Sequence, residues 1–440
     1  MAEKEFSAHA GNIEEFVISA NTSERAVDLS AGVVEFKYYE SILSNGITAT
    51  AVIVETGYTD KGSDVKGGVL DGLPIRGGER TDIKISDSQA TPNELNFTDE
   101  GLYVNRVRGA SPGTQKDVYS IDFVSKDYLS NDKTRVSSRY NGKISDNVSK
   151  VLKNVLKTSK EVDVDNTSFE YNFIGNDKKP FYICTWLASK SVPDEAIGKT
   201  AGYFFYQTYD GFKFKSIDKL LGQEPKKKYI YNNTGNLPAG YDGNIDSYTI
   251  DRDIDLHQNL TLGTYNNRSI YFDYLKFEFA SRSFSINEQK DEVTNAGKSD
   301  EFIVVADEFI DNPSRIMSHI MDYGVLPNGK DAKEQLKNFR SQMTNPNYDA
   351  KNTMVQSIMR YNQLFMIQVN ITIPGDFSLR AGDLIDCEFK KLEEGSDDEL
   401  NDQSGGIYMI AHVCHSLTPR DTFTSLTLIR DSFGQKGNNK

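Results

Sequence analysis

Nine residues, Phe365 to Ile373, alternate between an apolar set and a set that is polar except for Met366. Phe365, Ile367, Val369, Ile371 and Ile373 fall on one face, and Met366, Gln368, Asn370 and Thr372 on the other. Successive Cβ atoms of a strand point to opposite sides, so this pattern specifies a strand buried on one side only. Pro374-Gly375-Asp376 then stops the ladder, because Pro lacks a donor, Gly tolerates positive φ and Asp caps turns. Leu384 to Phe389, Ile407 to Val413 and Thr422 to Arg430 read as three further strands. Four strands in so short a stretch predict an antiparallel meander or small barrel.

The rest of the chain divides around this module. IEEFVIS, AGVVEFKYYESIL and ITATAVIVE are strand segments, and Ser44-Asn45-Gly46 between the last two predicts a hairpin with a type I′ turn. A Gly- and Asp-rich loop at 57–74 precedes GERTDIKIS, LYVNRVRG and KDVYSIDFVS, three more strands. Ser145 begins a helix with Val148, Val151, Leu152, Val155 and Leu156 at helical spacing, and Ile144 stands where a hydrophobic staple would. Pro180 suits the first turn of a second helix. YFFYQTYDGFKFKSI reads as a hairpin turning at Asp210-Gly211.

Beyond residue 236, SYTIDRDIDLHQNLTLG carries strand signals and NRSIYFDYLKFEFA reads as one long aromatic strand. SRIMSHIMDYG, the charged stretch 330–343 and 348–361 look helical. The fold class is therefore α+β, mainly β: two β-barrel-like domains flank a smaller α+β domain. The boundaries are 1–125, 126–235 and 236–432, with a helical or loop insertion at about 280–345 and a tail at 433–440. Residues 1–12 read as a loose arm.

Composition excludes several classes of function. A formal net charge of −14 opposes binding to phosphate backbones and to anionic membrane surfaces. No run of eighteen apolar residues exists, so no membrane insertion is expected, and the polar N-terminus has no secretory signal. Three cysteines, Cys184, Cys387 and Cys414, fit a reducing cytoplasm without a disulfide framework. The 23 Tyr and 24 Phe argue for order rather than disorder.

Each candidate for chemistry has a plainer reading that outweighs it. On a strand, His412 and Cys414 share a face while His415 points away, so the three make no metal site by themselves. Gly198-Lys199-Thr200 has Pro193 where a phosphate loop needs Gly, and no apolar strand precedes it. The Gly-rich GGVLDGLPIRGGER lacks the following helix that would focus on a phosphate. Asp251, Asp253 and Asp255 could share one strand face, but the Gly and closing Glu of a calcium loop are missing. Lys226-Lys227-Lys228 reads as a solvated loop. No G-x-S-x-G or H-E-x-x-H occurs. No catalytic residue, cofactor or metal is expected. The aromatic stretches are core, or else a subunit interface rich in Tyr and Phe.

The C-terminal stretch also carries a family likeness. A helix ending near Tyr361, the long strand, GDFSLRAGDLIDCEF, a variable loop, YMIAHVCHSL and TSLTLI follow in that order. With Gly375, Leu379, Gly382 and Ile385 around the turn and His415 before the final strand, this resembles the last tube domain of central baseplate hub proteins of contractile-tailed bacteriophages, relatives of the spike proteins of contractile injection systems. Gly78-Glu79 before a strand matches the first tube domain of such hubs. The resemblance implies a structural virion protein, made in the host cytoplasm. It implies a homotrimer in which two tube domains per subunit give a pseudo-six-fold ring. The implied partners are the spike protein, the tail tube or tube-initiator protein and the tape-measure protein, with DNA passing through unbound. Inter-subunit contacts are expected at the strand edges 364–373 and 422–430, with Phe365, Ile367, Val369, Ile371, Thr424, Leu426 and Leu428 as ring residues and Gly375, Asp376 and Gly382 at the turn. Gln368, Asn370 and Thr372, with Glu35 and Lys37, are expected to face the bore. The acidic loop 393–403 has no counterpart in this scheme. The alternative is a baseplate-associated cell-wall hydrolase using carboxylates.

Overall fold

The computed structural model describes residues 9–21, 23–56, 69–73, 75–112, 116–232, 237–251, 255–286, 294–297, 305–344, 347, 350–390, 400–401 and 403–432. Most of the expected arm, most of the loop 57–74, Asp253, most of the acidic loop 393–403 and the tail 433–440 lie outside these residues.

The strands in chain order begin with β1 (Asn12–Ser19), β2 (Ala26–Asp28), β3 (Val33–Ser41), β4 (Thr48–Glu55), β5 (Arg80–Ser86), β6 (Glu94–Asn96), β7 (Leu102–Pro112) and β8 (Asp117–Ser125). The middle of the chain supplies β9 (Arg139–Tyr140), β10 (Val162–Val164), β11 (Phe173–Ile174), β12 (Tyr203–Thr208), β13 (Gly211–Ser216), β14 (Lys227–Ile230), β15 (Gly243–Asn244) and β16 (Ser247–Asp251). Then come β17 (Asn266–Asp273), β18 (Glu278–Ser285), β19 (Arg315–Ile320), β20 (Ile367–Pro374), β21 (Leu384–Glu388), β22 (Gly406–Leu417) and β23 (Thr422–Arg430). The helices are α1 (Val69–Gly72), α2 (Lys126–Lys133), α3 (Ile144–Lys150), α4 (Pro180–Ala188), α5 (Ile217–Leu221), α6 (Leu256–Leu262), α7 (Ala332–Thr344) and α8 (Ala350–Leu364).

One large sheet dominates. Its strands run β16-β20-β23-β22-β3-β4-β8-β7 and on through β5, β1 and β2, while β21, β14 and β15 branch from β22. The branch is possible because β22 is long. Its first half pairs with β21 and its second half with β3, with a register shift between Ile410 and His412 on the β23 side. The N-terminal and C-terminal β modules are thus parts of one sheet, and no sheet closes into a barrel among the described residues.

Alternation decides which face each strand buries. Ile367, Val369, Ile371 and Ile373 enter one core with Leu384, Ile385, Met409, Leu426 and Leu428. Phe16, Phe36, Tyr38, Ala51, Ile83 and Phe123 form a second core, which also takes in Phe377 and Leu417 from the C-terminal module. A third core packs α3 and α4 against β12 and β13, where both faces of β12 are buried.

Several local expectations hold. The β3–β4 and β12–β13 hairpins form, and Gly211 has φ 137°. Pro180 opens α4. The expected helix α3 forms and continues as a wider π-type turn through Leu156. Lys143 is its N-cap, however, so Ile144 is its first residue and not a staple preceding it. Others do not. The β3–β4 connection spans residues 42–47, and neither Asn45 nor Gly46 has positive φ. Gly46 is instead required by close approach, since a Cβ there would meet the Tyr128 ring at 2.6 Å.

The single aromatic strand is a hairpin, β17–β18. Asp273 makes the turn without Gly or Pro: its Oδ1 accepts from Leu275 and Lys276 N–H, and Phe277 takes φ 54°. Residues 315–320 form strand β19 beside β17 rather than a helix, because the tertiary pairing overrides their spacing. Asp255 caps helix α6, its Oδ1 accepting from Gln258 N–H at 2.9 Å, so the aspartates of DRDIDL do not share one strand. Lys227 and Lys228 belong to strand β14 rather than a loop.

Candidate functional site

The polar positions expected to face a bore are brought onto one surface. Residues directly opposite across paired strands share a face, so the register can be followed strand by strand. One row runs Ser247, Thr372, Ser425, Cys414, Tyr39 and Thr48. A second runs Thr249, Asn370, Thr427, His412 and Ser41. A third runs Ser416, Lys37, Thr50, Asp122 and Arg106. Asn370 is exposed, and Gln368, Thr372, Glu35 and Lys37 are half-buried. Between the first two rows lies a groove of about 510 Å³.

Hydroxyls and amides dominate this face, and they bond to each other. Thr427 Oγ1 donates to Asn370 Oδ1 at 2.8 Å, and Thr50 Oγ1 donates to Asp122 Oδ1 at 3.1 Å. Its carboxylates are matched by cations: Lys37 pairs with Glu35 at 2.7 Å, and Arg108 with Asp122 at 2.6 Å. The face is close to neutral, not the negative wall that the net charge suggests.

The expected ring strands are placed differently. β20 is paired with β16 on one side and β23 on the other, and β23 lies between β20 and β22. Neither offers a free edge. Ile367, Val369, Ile371, Thr424, Leu426 and Leu428 are buried within this chain, so they are core residues and not surface contacts. Phe365 sits in the bend after α8, half-buried against the same core. Two of the free edges of the large sheet are the outer side of β16 and β7 beyond Val104.

The turn at 375–383 braces the sheet. A Cβ on Gly375 would meet Thr422 at 2.4 Å, and Gly382, with φ 91°, would meet the Tyr206 hydroxyl at 2.2 Å. Asp376 is buried, which pushes its carboxyl up, but Lys227 and the Ser378 hydroxyl and N–H overcome that and hold it below the ordinary range. Phe377 N–H donates to Asp87 Oδ2 at 2.9 Å, tying the turn to the N-terminal module.

His415 lies on the buried side, opposite His412 and Cys414. It bonds Thr424 Oγ1 through Nδ1 at 3.0 Å and the Leu379 carbonyl through Nε2 at 3.2 Å. Burial and then the Arg380 charge pull its pKa down to about 3. The ring is therefore neutral: Nε2–H donates to Leu379, and Nδ1 accepts from Thr424. Burial likewise raises the Cys414 thiol, the reverse of an activated nucleophile. Among the described residues no group of three or more His, Cys, Asp or Glu is placed to hold a metal ion.

Sequence reasoning missed the groups that join the modules. Glu40 is 2% exposed, and its carboxylate accepts from the Tyr38 hydroxyl, Tyr209 N–H and Ala381 N–H at 2.9, 2.7 and 3.0 Å. Phe36, Tyr38 and Glu40 alternate on the apolar face of β3, so a carboxylate in an aromatic stripe was the available signal. In the GKT segment, Lys199 and Thr200 N–H both donate to Asp218 Oδ2, so a carboxylate of the chain itself occupies those donors. The three lysines at 226–228 are each ion-paired, to Asp383, Asp376 and Glu388.

No protein-family model matches the chain, and no curated protein matches it. Among solved structures it is similar to the tail protein from Neisseria meningitidis MC58, with a TM-score of 0.51 at 11% identity, over 97% of this chain and 97% of that one. It is also similar to the 43 kDa tail protein of prophage MuSo2 from Shewanella oneidensis, with a TM-score of 0.50 at 9% identity, over 95% and 98% of the two chains. At such identities the fold is what is shared. The chain has the fold of phage tail proteins, in line with the resemblance read from its sequence.

Proposed function

We propose that this chain is a structural subunit of a phage tail baseplate, and that three copies form the hub ring joining the tail tube to the central spike. The observation that carries this reading is the run of eight strands from β16 to β7, with one continuous, nearly neutral polar face. The outer side of β16 is free at one end, and β7 is free beyond Val104 at the other, where its start pairs with β5. Such a sheet satisfies its edges by meeting a copy of itself head to tail. Three copies then line up 3 × 8 = 24 strands. Barrels of sixteen or more strands already enclose an aqueous channel, so this ring has an open bore.

Gln368, Asn370, Thr372, Glu35 and Lys37 line that bore, and DNA passes a wall that neither holds nor strongly repels it. The segments 1–125 and 236–432 supply the two tube domains of the pseudo-six-fold ring, and 126–235 is the domain between them. The barrel is completed by the assembly and not within one chain. The spike and the tube or its initiator contact the two ends, the tape-measure protein occupies the bore before ejection, and the role is structural, not enzymatic. No helix among the described residues is long and apolar enough to cross a membrane.

Light scattering on purified protein, with and without a co-expressed spike, tests the ring. The expected species is 3 × 49.4 = about 148 kDa. A monomer in both conditions overturns the reading.

A further inference from the structure

The three-stranded sheet β18-β17-β19 is turned the opposite way to an ordinary surface sheet. On β17, Asn267, Ser269, Tyr271 and Asp273 are buried against the rest of the chain, whereas Arg268, Ile270 and Phe272 point outward. The buried side is mostly polar: Asn267 Nδ2 donates to the Gly263 carbonyl at 3.1 Å, and the Tyr323 hydroxyl donates to Asp273 Oδ2 at 2.6 Å. The outward side carries five apolar residues, Ile270, Phe272, Phe279, Ile316 and Ile320, with Arg268, Ser281, Ser283 and Ser318 among them. Register sets Phe279 and Ile320 on either side of Phe272, and Ile316 beside Arg268. Phe279 is 76% exposed, Ile320 70% and Phe277, at the turn, 82%. The apolar end of this face, Ile270, Phe272, Phe279 and Ile320, marks an interaction surface.

Helix α7 presents the complementary surface. It is held to the segment that leads into it by polar bonds: Gln335 and Asn338 amides donate to the Leu326 carbonyl at 3.2 and 3.3 Å. Leu336, Phe339 and Met343, at i, i+3 and i+7, form a stripe on which Leu336 is 49% and Met343 38% exposed. Thirteen residues of helix are roughly 20 Å long, matching roughly 20 Å for a six-residue strand. The stripe and the sheet face do not cover each other within one chain, since both are exposed.

We propose that the α7 stripe of a second copy of this chain packs onto the β18-β17-β19 face, each copy giving a helix and receiving one. This interface is heterologous, so it repeats around an axis and is compatible with a closed ring. It rests on the reading that copies of the chain assemble, but it uses neither the β16 nor the β7 edge.

The test joins Met343→Cys to Ile316→Cys in a Cys414→Ser background, with Cys184 and Cys387 already buried. Isotope-labelled and unlabelled chains are mixed before assembly, oxidised, and analysed by mass spectrometry. A 343–316 disulfide joining labelled to unlabelled peptide is the expected result. Links only within one chain show α7 folding onto its own sheet, and overturn the proposal. A species of about 148 kDa without the link also overturns it while leaving the ring standing. A monomer at every concentration removes both. As a second measurement, Phe279→Ser with Ile320→Ser should weaken association at least about tenfold without changing the circular dichroism spectrum. Unchanged association overturns the proposal.

Discussion

The carboxylate of Glu40 on β3 accepts a hydrogen bond at 3.0 Å from the backbone N–H of Ala381, 341 residues further along the chain. The same carboxylate takes Tyr209 N–H from the β12–β13 turn and faces the Arg380 guanidinium at 3.9 Å. One buried side chain therefore ties the N-terminal module, the 375–383 turn and the middle of the chain together. Glu40→Gln turns one acceptor oxygen into a donor and leaves Arg380 without its buried counter-charge. Urea denaturation should show a loss of roughly 3 kcal/mol. A loss below about 1 kcal/mol would mean the clasp is incidental.

His415 makes stability depend on pH in a defined direction. Its folded pKa of about 3 lies below the ordinary 6.5, so the unfolded chain binds the proton first as pH falls. Its contribution is complete above pH 6.5 and is lost as pH drops toward 3. Between pH 6 and pH 4 the loss should approach about 1.4 kcal/mol per unit. His415→Gln should flatten that part of the profile relative to wild type. Parallel profiles would show that other groups carry the acid sensitivity.

Gly382 combines a φ of 91° with close packing, since a Cβ at this position would lie 2.2 Å from the Tyr206 hydroxyl. Gly382→Ala should cost roughly 2 kcal/mol in thermal or urea unfolding. Adding Tyr206→Phe should recover part of that loss and leave the part due to backbone strain. A full recovery would assign the whole effect to the steric contact.

The neutral polar face can be recharged without touching the core. Glu35→Lys with Asp122→Lys leaves Lys37 and Arg108 unpaired and makes the face strongly basic. Virions carrying both changes should eject DNA more slowly, with the defect shrinking as ionic strength rises. Ejection at the wild-type rate would remove this face from the DNA path.

How far the fold could be read in advance depended on where the deciding force acts. The alternation of 367–373 and the turn at 374–376 are local, and they survive unchanged in β20. Phe365 and Met366, which continue the pattern on paper, form the bend after α8, where Met366 N–H bonds the Gln363 carbonyl. Ile316, Met317 and Ile320 have spacing that a helix would also use, and only pairing with β17 decides for a strand. The polar face was legible because alternation assigns side chains to faces. Its true edges were not, because β16 has a weak strand signal and is identified as an edge only by its single pairing to β20. The polar core around Glu40 depends on donors from two distant segments, at Tyr209 and at Arg380-Ala381, and no local pattern reports those.

Strand β22 serves two neighbours on the same flank, β21 along its first half and β3 along its second. Its length works as a gauge. A one-residue insertion near Ala411 would not be absorbed by either half alone. It would turn Val413, Leu417 and the partners of β3 over to the opposite face, while leaving β21 in place. The two modules would then disagree about which side of the shared sheet is wet. Insertions in this chain should therefore be tolerated in the connections around β22 and rejected within it.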